Sequence, residues 1–153
     1  MGLIVCATRS GEASRMAQDK AISLAQERGY DLVFLYVLDP NVLARTSYTR
    51  PRQISHDLCR MGEFILTIAQ EHAARKGIRA SWEIRVGEVQ REIKRFVQEK
   101  KASYLIMGCP SEDIWQRIFS PSDLHAFAAE VERETGVPVI LVSPEEGEGG
   151  GEA

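Results

Sequence analysis

The chain has 153 residues, 44% of them hydrophobic and 27% charged, enough for one domain to bury an adequate core. Nineteen Lys and Arg face twenty-two Asp and Glu, and Glu145, Glu146, Glu148 and Glu152 of the last nine residues supply four of those acids. The remaining body is nearly neutral and lacks the dense basic face that duplex nucleic acid or an anionic membrane surface selects.

Cys6, Cys59 and Cys109 are widely spaced, odd in number and without a Cys-x-x-Cys pair, a pattern that suggests neither a disulfide framework nor a zinc cage. No apolar run approaches the ~20 residues that span a bilayer, and no basic segment with a cleavage site opens the chain. A soluble, cytoplasmic protein in a reducing compartment is expected.

Short apolar runs alternate with longer stretches of helical period, the pattern of a parallel sheet covered by helices on both faces. Leu3 to Ala7 reads as the first strand. Ala13, Met16, Ala17, Leu24 and Ala25 then share a helical face over about residues 12–28, and Gly29 stands where a left-handed cap is wanted. Leu32 to Leu38 is continuously apolar, as in a central strand, and Asp39-Pro40 ends it.

Residues 41–53 show no period and contain Arg45, Arg50, Arg52 and Pro51. A long connection is expected there, of the kind that serves as a lid or contact surface. Its arginines suit a solvated loop, an anionic ligand or a partner's acidic face. The next helix has Ile54, Leu58, Met61, Ile65, Ile68 and Ala69 as its expected buried stripe and Gly77 as its stop. From Ala80 to Val86, apolar Trp82, Ile84 and Val86 alternate with Ser81, Glu83 and Arg85, predicting a strand with one wet face.

Gly87 turns the chain into a third helix, on which Val89, Ile93, Phe96 and Val97 share a face and Lys100 and Lys101 favour the negative end of the dipole. Tyr104 to Met107 is the fourth strand. The last helix carries Leu124, Phe127, Ala128 and Val131 on one face and ends at Gly136, and Val137 to Val142 is the fifth strand. The Gly/Glu tail, 145–153, buries too little apolar surface to order itself; the domain is read as residues 1–144.

Five strands joined by helical crossovers make an α/β, doubly wound, Rossmann-like sheet, which binds ligands beyond the carboxyl ends of its strands where the winding reverses. The loops after strands one and four are the ones to inspect: Thr8-Arg9-Ser10-Gly11, and Gly108-Cys109-Pro110-Ser111 continuing to Ser120-Pro121-Ser122.

Thr8-Arg9-Ser10-Gly11-Glu12-Ala13-Ser14-Arg15 resembles the start of universal stress proteins. Leu35-Tyr36-Val37, Val86-Gly87-Glu88-Val89, Leu105-Ile106-Met107-Gly108 and Val137 to Val142 are similar to later landmarks of that family, in order, over roughly residues 2–143. The resemblance implies a 3-2-1-4-5 sheet of the adenine nucleotide alpha hydrolase-like type and a homodimer made through strand five, with Val137, Val139 and Leu141 at the contact. An apolar edge strand is consistent with this, since a partner chain would cover it; the alternative cover is this chain's own helices and tail.

The resemblance also implies an adenine-nucleotide site, with ATP and magnesium as its cofactor, at Ala7, Thr8, Arg9, Val37, Met107, Gly108, Ser111 and Ser122. The family's ATP-binding branch carries Gly, two residues, Gly, nine residues, Gly and then Ser or Thr. Here Gly108 keeps the first position and Ser122 the hydroxyl, but Ser111 and Pro121 replace the second and third glycines, and Arg9 stands where the family has an acid. A side chain at 111 obstructs a phosphate nest, Pro121 removes an N–H, and Glu112, Asp113 and Asp123 add negative charge. Ser120-Pro121-Ser122-Asp123 also reads as a self-capped helix start. Arg9 either replaces phosphate contacts, with Arg117, or pairs with Glu112 or Asp113 and fills the crevice.

Other chemistry is thin. Ser122, Asp123 and His125 point in different directions on one helical turn and do not form a triad. His56 and His72, sixteen residues apart, lie about 160° apart around a helix, cannot share a metal there, and read as solvated. Cys109, at the crevice mouth, is a half-buried side chain or a redox sensor. Trp115, Ile118 and Phe119 suit one helical turn that packs on the domain or forms an exposed patch. Two functional readings follow: a non-enzymatic, dimeric stress-response module with weak or lost ATP binding, or a nucleotide-binding switch or slow ATPase.

Overall fold

A computed structural model of the chain describes residues 2–9, 11–39, 51–109 and 121–143, the side chains of 51–58 and 121–123 excepted. Among these residues, five strands, β1 (Leu3–Ala7), β2 (Asp31–Leu38), β3 (Ala80–Val86), β4 (Tyr104–Gly108) and β5 (Val139–Val142), alternate with four helices, α1 (Glu12–Arg28), α2 (Pro51–Arg75), α3 (Val89–Lys100) and α4 (Pro121–Thr135). Neighbouring strands are parallel, in the order β3-β2-β1-β4-β5. The expected doubly wound sheet is therefore present, with β1 at its centre.

Strand alternation divides the core in two. Ile4 and Cys6 of β1, Phe34 and Tyr36 of β2 and Ile106 of β4 face α1 and α2, where Ala17, Ala21, Leu66, Ala69 and Ala73 meet them. Val5, Leu35, Leu105 and Met107 face the opposite side, against Ile93, Phe96 and Val97 of α3 and Leu124, Phe127 and Val131 of α4. Apolar residues on both faces of β1, β2 and β4 are what a sheet covered twice requires.

Helix α2 departs from the sequence expectation in two ways. It begins at Pro51, inside the stretch read as a connection, because a proline at the first helical position gives up an N–H that has no intrahelical acceptor anyway. Its buried side is Gly62, Leu66, Ala69 and Ala73, with Cys59 and Ile65 half-buried, while Met61 (53%) and Ile68 (49%) are exposed. Small residues win that face because they let the helix approach: a β-carbon at Gly62 would stand 2.6 Å from the Tyr36 ring. Ile54 and Leu58 lie outside the described side chains, and Arg45 and Arg50 outside the described residues.

Three smaller corrections concern the strands and α1. Val86 is 55% exposed at the end of edge strand β3 rather than facing the core. Met16 is only half-buried, because α1 turns Ser14 and Gln18 inward beside Ala17, Ala21 and Ala25. Val137 precedes β5 instead of belonging to it, and at 5% exposure it is buried under α4 and unsuited to an edge contact. Val139, Ile140, Leu141 and Val142 are all half-buried.

Candidate functional site

β1 and β4 lie side by side with Ala7 opposite Met107, so the chain leaves the sheet at Thr8 and at Gly108 from adjacent positions. That is the reversal point of the winding, where an open α/β sheet forms its crevice. The turn after β1 is held from inside. Thr8 is 1% exposed; its N–H donates to the Leu35 carbonyl at 2.8 Å, and its hydroxyl accepts a hydrogen bond from the Gln18 amide of α1. The Arg9 N–H donates to Ser14 Oγ at 3.0 Å.

Gly11 then opens α1 with φ +112° and no side-chain cap, a conformation that glycine tolerates and most side chains do not. Across the crevice, Gly108 packs on the same helix start: a β-carbon there would lie 2.6 Å from the Ala13 carbonyl and 2.9 Å from the Ser14 nitrogen. The bare backbone at 108 is thus filled by the first turn of α1. Cys109 is half-buried against the α3–α4 core, and its N–H donates to the Val142 carbonyl at 2.7 Å.

Among the described residues, Arg9 brings a charge to the crevice. Burial pulls its guanidinium below the ordinary arginine range, while the Tyr36 phenol and the Asp39 carboxylate act in the opposite direction. Burial pushes the Tyr36 phenol up, against the pull of Arg9. Arg9 also lines a groove between α1 and α2, so its side chain is engaged with the β2 and α2 side of the molecule. Glu112, Asp113 and Arg117, named from the sequence as its neighbours, lie outside the described residues.

Of the eight residues expected at a nucleotide site, Ala7, Thr8, Arg9, Met107 and Gly108 do meet at the β1–β4 exit. Val37 (5% exposed) and Met107 (6%) belong to the core facing α3 and α4, and Ala7 packs against that core half-buried. Ser111 lies outside the described residues. Ser122 falls in the first turn of α4, one residue after Pro121 at the helix start, and its side chain is not among those described. Trp115, Ile118 and Phe119 are likewise outside.

Sequence reasoning missed Ser14 and Gln18, whose i, i+4 spacing on the buried face of α1 was a usable signal, and missed Tyr36 and Asp39 as neighbours of Arg9. His72, read as solvated, is partly exposed, and its Nε2 lies 2.8 Å from Asp19 Oδ1 of α1. No group of three or more His, Cys, Asp or Glu suited to a metal occurs among the described residues.

The family model described as "Universal stress protein family" matches residues 1–143. The chain belongs to the universal stress protein family. No curated protein matches it closely. Among solved structures, it is similar to universal stress protein UspA from Lactobacillus plantarum, with 17% identity, TM-score 0.73, and 92% of this chain and 97% of that one covered. A universal stress protein family member from Burkholderia pseudomallei gives 22% identity, TM-score 0.69, and coverage of 92% and 95%. The universal stress protein from Archaeoglobus fulgidus in complex with dAMP gives 18%, TM-score 0.62, and coverage of 93% and 97%. At such identities the likeness concerns the fold. Among the described residues, no helix of this family member is long and apolar enough to cross a membrane.

Proposed function

We propose that this universal stress protein is a non-enzymatic, dimeric stress-response module of the cytoplasm that acts through partner contacts, with a nucleotide crevice of weakened or lost affinity for ATP. The observation that carries this reading is the use made of Gly108. It is the one of three family glycines this sequence retains, and its open backbone faces the Ala13 carbonyl at a distance that leaves no room even for a methyl group. Packing therefore accounts for the glycine, with no phosphate required.

The rest of the crevice agrees. Arg9 replaces an acid and is engaged with Tyr36 and Asp39, so contacts that the family makes from an acid here have no counterpart. Ser111 and Pro121 take the places of the other two glycines, and Pro121 serves as the first residue of α4, a role that needs no ligand. The residues fit ATP with magnesium poorly, and no step of a reaction is assigned to them.

In this reading the dimer contact is β5, the outermost strand on its side of the sheet among the described residues, where Val139, Ile140, Leu141 and Val142 are apolar and half-buried, a strand that a second copy would cover. Residues 1–144 form the domain in this reading, and 145–153 add charge without core.

A native mass spectrum of the purified chain, followed by titration with magnesium-ATP, tests both parts. A dimer without bound nucleotide and with no saturation in the micromolar range is expected. Nucleotide released on denaturation, or a micromolar dissociation constant, would establish the nucleotide-switch reading instead, to which the dAMP complex of the Archaeoglobus fulgidus relative lends its support.

A further inference from the structure

We propose that the groove between α1 and α2 binds a small organic anion, an oxyanion head carried on an apolar body. The groove encloses about 450 Å³, within the range of small-molecule sites. It opens on the α1–α2 side of the sheet and shares Arg9 and Gly11 with the mouth of the β1–β4 crevice.

Three guanidinium groups line it: Arg9 at the exit of β1, Arg15 from α1 and Arg75 from α2. The lining carboxylates are two, Asp19 and Glu71, and Asp19 is already engaged by His72 at 2.8 Å. Arg9 keeps Asp39 beside it, whereas Arg15 and Arg75 form no ion pair among the described residues. Arg15 and Arg75 thus stand in the concavity without a carboxylate in ion-pair contact, and a guanidinium fork matches the paired oxygens of a carboxylate or phosphate.

The same wall carries Ile65 and Ile68. Ile68 is 49% exposed, an aliphatic side chain left facing solvent inside a concavity, which gives the ligand's body apolar surface to cover. Gly11, which has no side chain, lines the groove at the start of α1.

Amide chemical shifts of the full chain, followed by NMR during titration with phenyl phosphate and separately with benzoate, test the assignment. Saturable shifts at Gly11, Gln18 and Ile68 with either probe are expected, phosphate and carboxylate sources being told apart by which probe binds more tightly. Inorganic phosphate should bind the same residues more weakly than phenyl phosphate by roughly tenfold. The double variant Arg15→Glu/Arg75→Glu, both exposed positions, should weaken binding by at least about tenfold. Ile68→Ser, exposed as well, should reduce the advantage of phenyl phosphate over inorganic phosphate. Absence of saturation by roughly 10 mM of both organic probes, shifts confined to the surroundings of Gly108, or unchanged binding in the charge-reversed variant would overturn the proposal.

Discussion

A β-carbon on Gly108 would stand 2.6 Å from both the carbonyl carbon and the oxygen of Ala13. The end of β4 and the first turn of α1 thus touch through backbone on both sides, and backbone cannot rotate away as a side chain can. Gly108→Ala is expected to destabilise the protein by about 1–3 kcal/mol through overpacking. Urea denaturation measures this. The cost should be the same with and without added ATP, and a loss seen only in the presence of nucleotide would instead tie Gly108 to a ligand.

The close approach of Gly62 to Tyr36 gives a second test with the opposite helical bias. Alanine is the better helix former by about 1 kcal/mol, yet its methyl group would lie 2.6 Å from a ring that is itself 9% exposed. Net destabilisation of about 1–2 kcal/mol is expected for Gly62→Ala, whereas Phe64→Ser, at a position 66% exposed on the same helix, should change stability by less than about 0.5 kcal/mol.

That pair also marks how far the sequence could be read. Periodicity located α2, and hydrophobicity chose Met61 and Ile68 for its buried face, but the helix sits close to the sheet and small size governs which face turns inward. Gly62, Ala69 and Ala73 fit there; Met61 does not. Strands were legible because β1, β2 and β4 are apolar on both faces, and Gly29 marked the end of α1 through its left-handed backbone, φ +68°. The adjacency of the β1 and β4 exits was legible, the surroundings of Arg9 less so. Thr8, Arg9 and Gly108 lie together as expected, but the partners of Arg9, Tyr36 and Asp39, come from β2 and the residue that follows it, which no local spacing connects to residue 9.

Helix α3 is capped by Lys101, the one described non-glycine residue with positive φ (+54°), where a β-carbon crowds the following carbonyl. Its N–H caps the helix at the Val97 and Gln98 carbonyls, a contact that glycine would retain. Lys101→Gly should raise stability by about 0.5–1 kcal/mol, the relief of left-handed strain less the added freedom of the unfolded chain. A higher midpoint in urea with an unchanged slope is the expected result, and a lower midpoint would show that the lysine stem contributes packing.

Lys94 joins α3 to α4 through Glu130 and, at 2.9 Å, Glu134. Hydrogen bonding to Lys94 holds the Glu130 carboxyl below its ordinary range, and hydrogen bonding to Glu130 raises the Lys94 ammonium. The carboxylate's contribution is therefore present above the unfolded pKa of glutamate and lost as pH falls through the lowered folded value. The ammonium's contribution is present below the unfolded pKa of lysine and lost as pH rises through the raised one. Wild type should exceed Lys94→Gln in stability between those limits, with the difference vanishing in acid and shrinking in high salt. Thermal melts of both proteins from pH 3 to pH 8 read it directly. A difference that persists in acid would mean that the lysine acts by packing.

Arg9 supports the last expectation, because the Tyr36 phenol and Asp39 lie beside its charge. Exchange for aspartate, which restores the family's charge at that position, would place two carboxylates where one cation and one anion now stand. Arg9→Asp should cost more stability than Arg9→Met, by about 1 kcal/mol or more, and the excess should disappear when Asp39→Asn is added, since the repulsion needs both acids. A double-mutant cycle in urea measures that coupling. Stability and ligand affinity separate cleanly here: if Arg9→Asp/Asp39→Asn folds as wild type does and still shows no micromolar affinity for magnesium-ATP, residue 9 alone does not account for the proposed loss of ATP affinity, and the proposal then rests on Ser111 and Pro121.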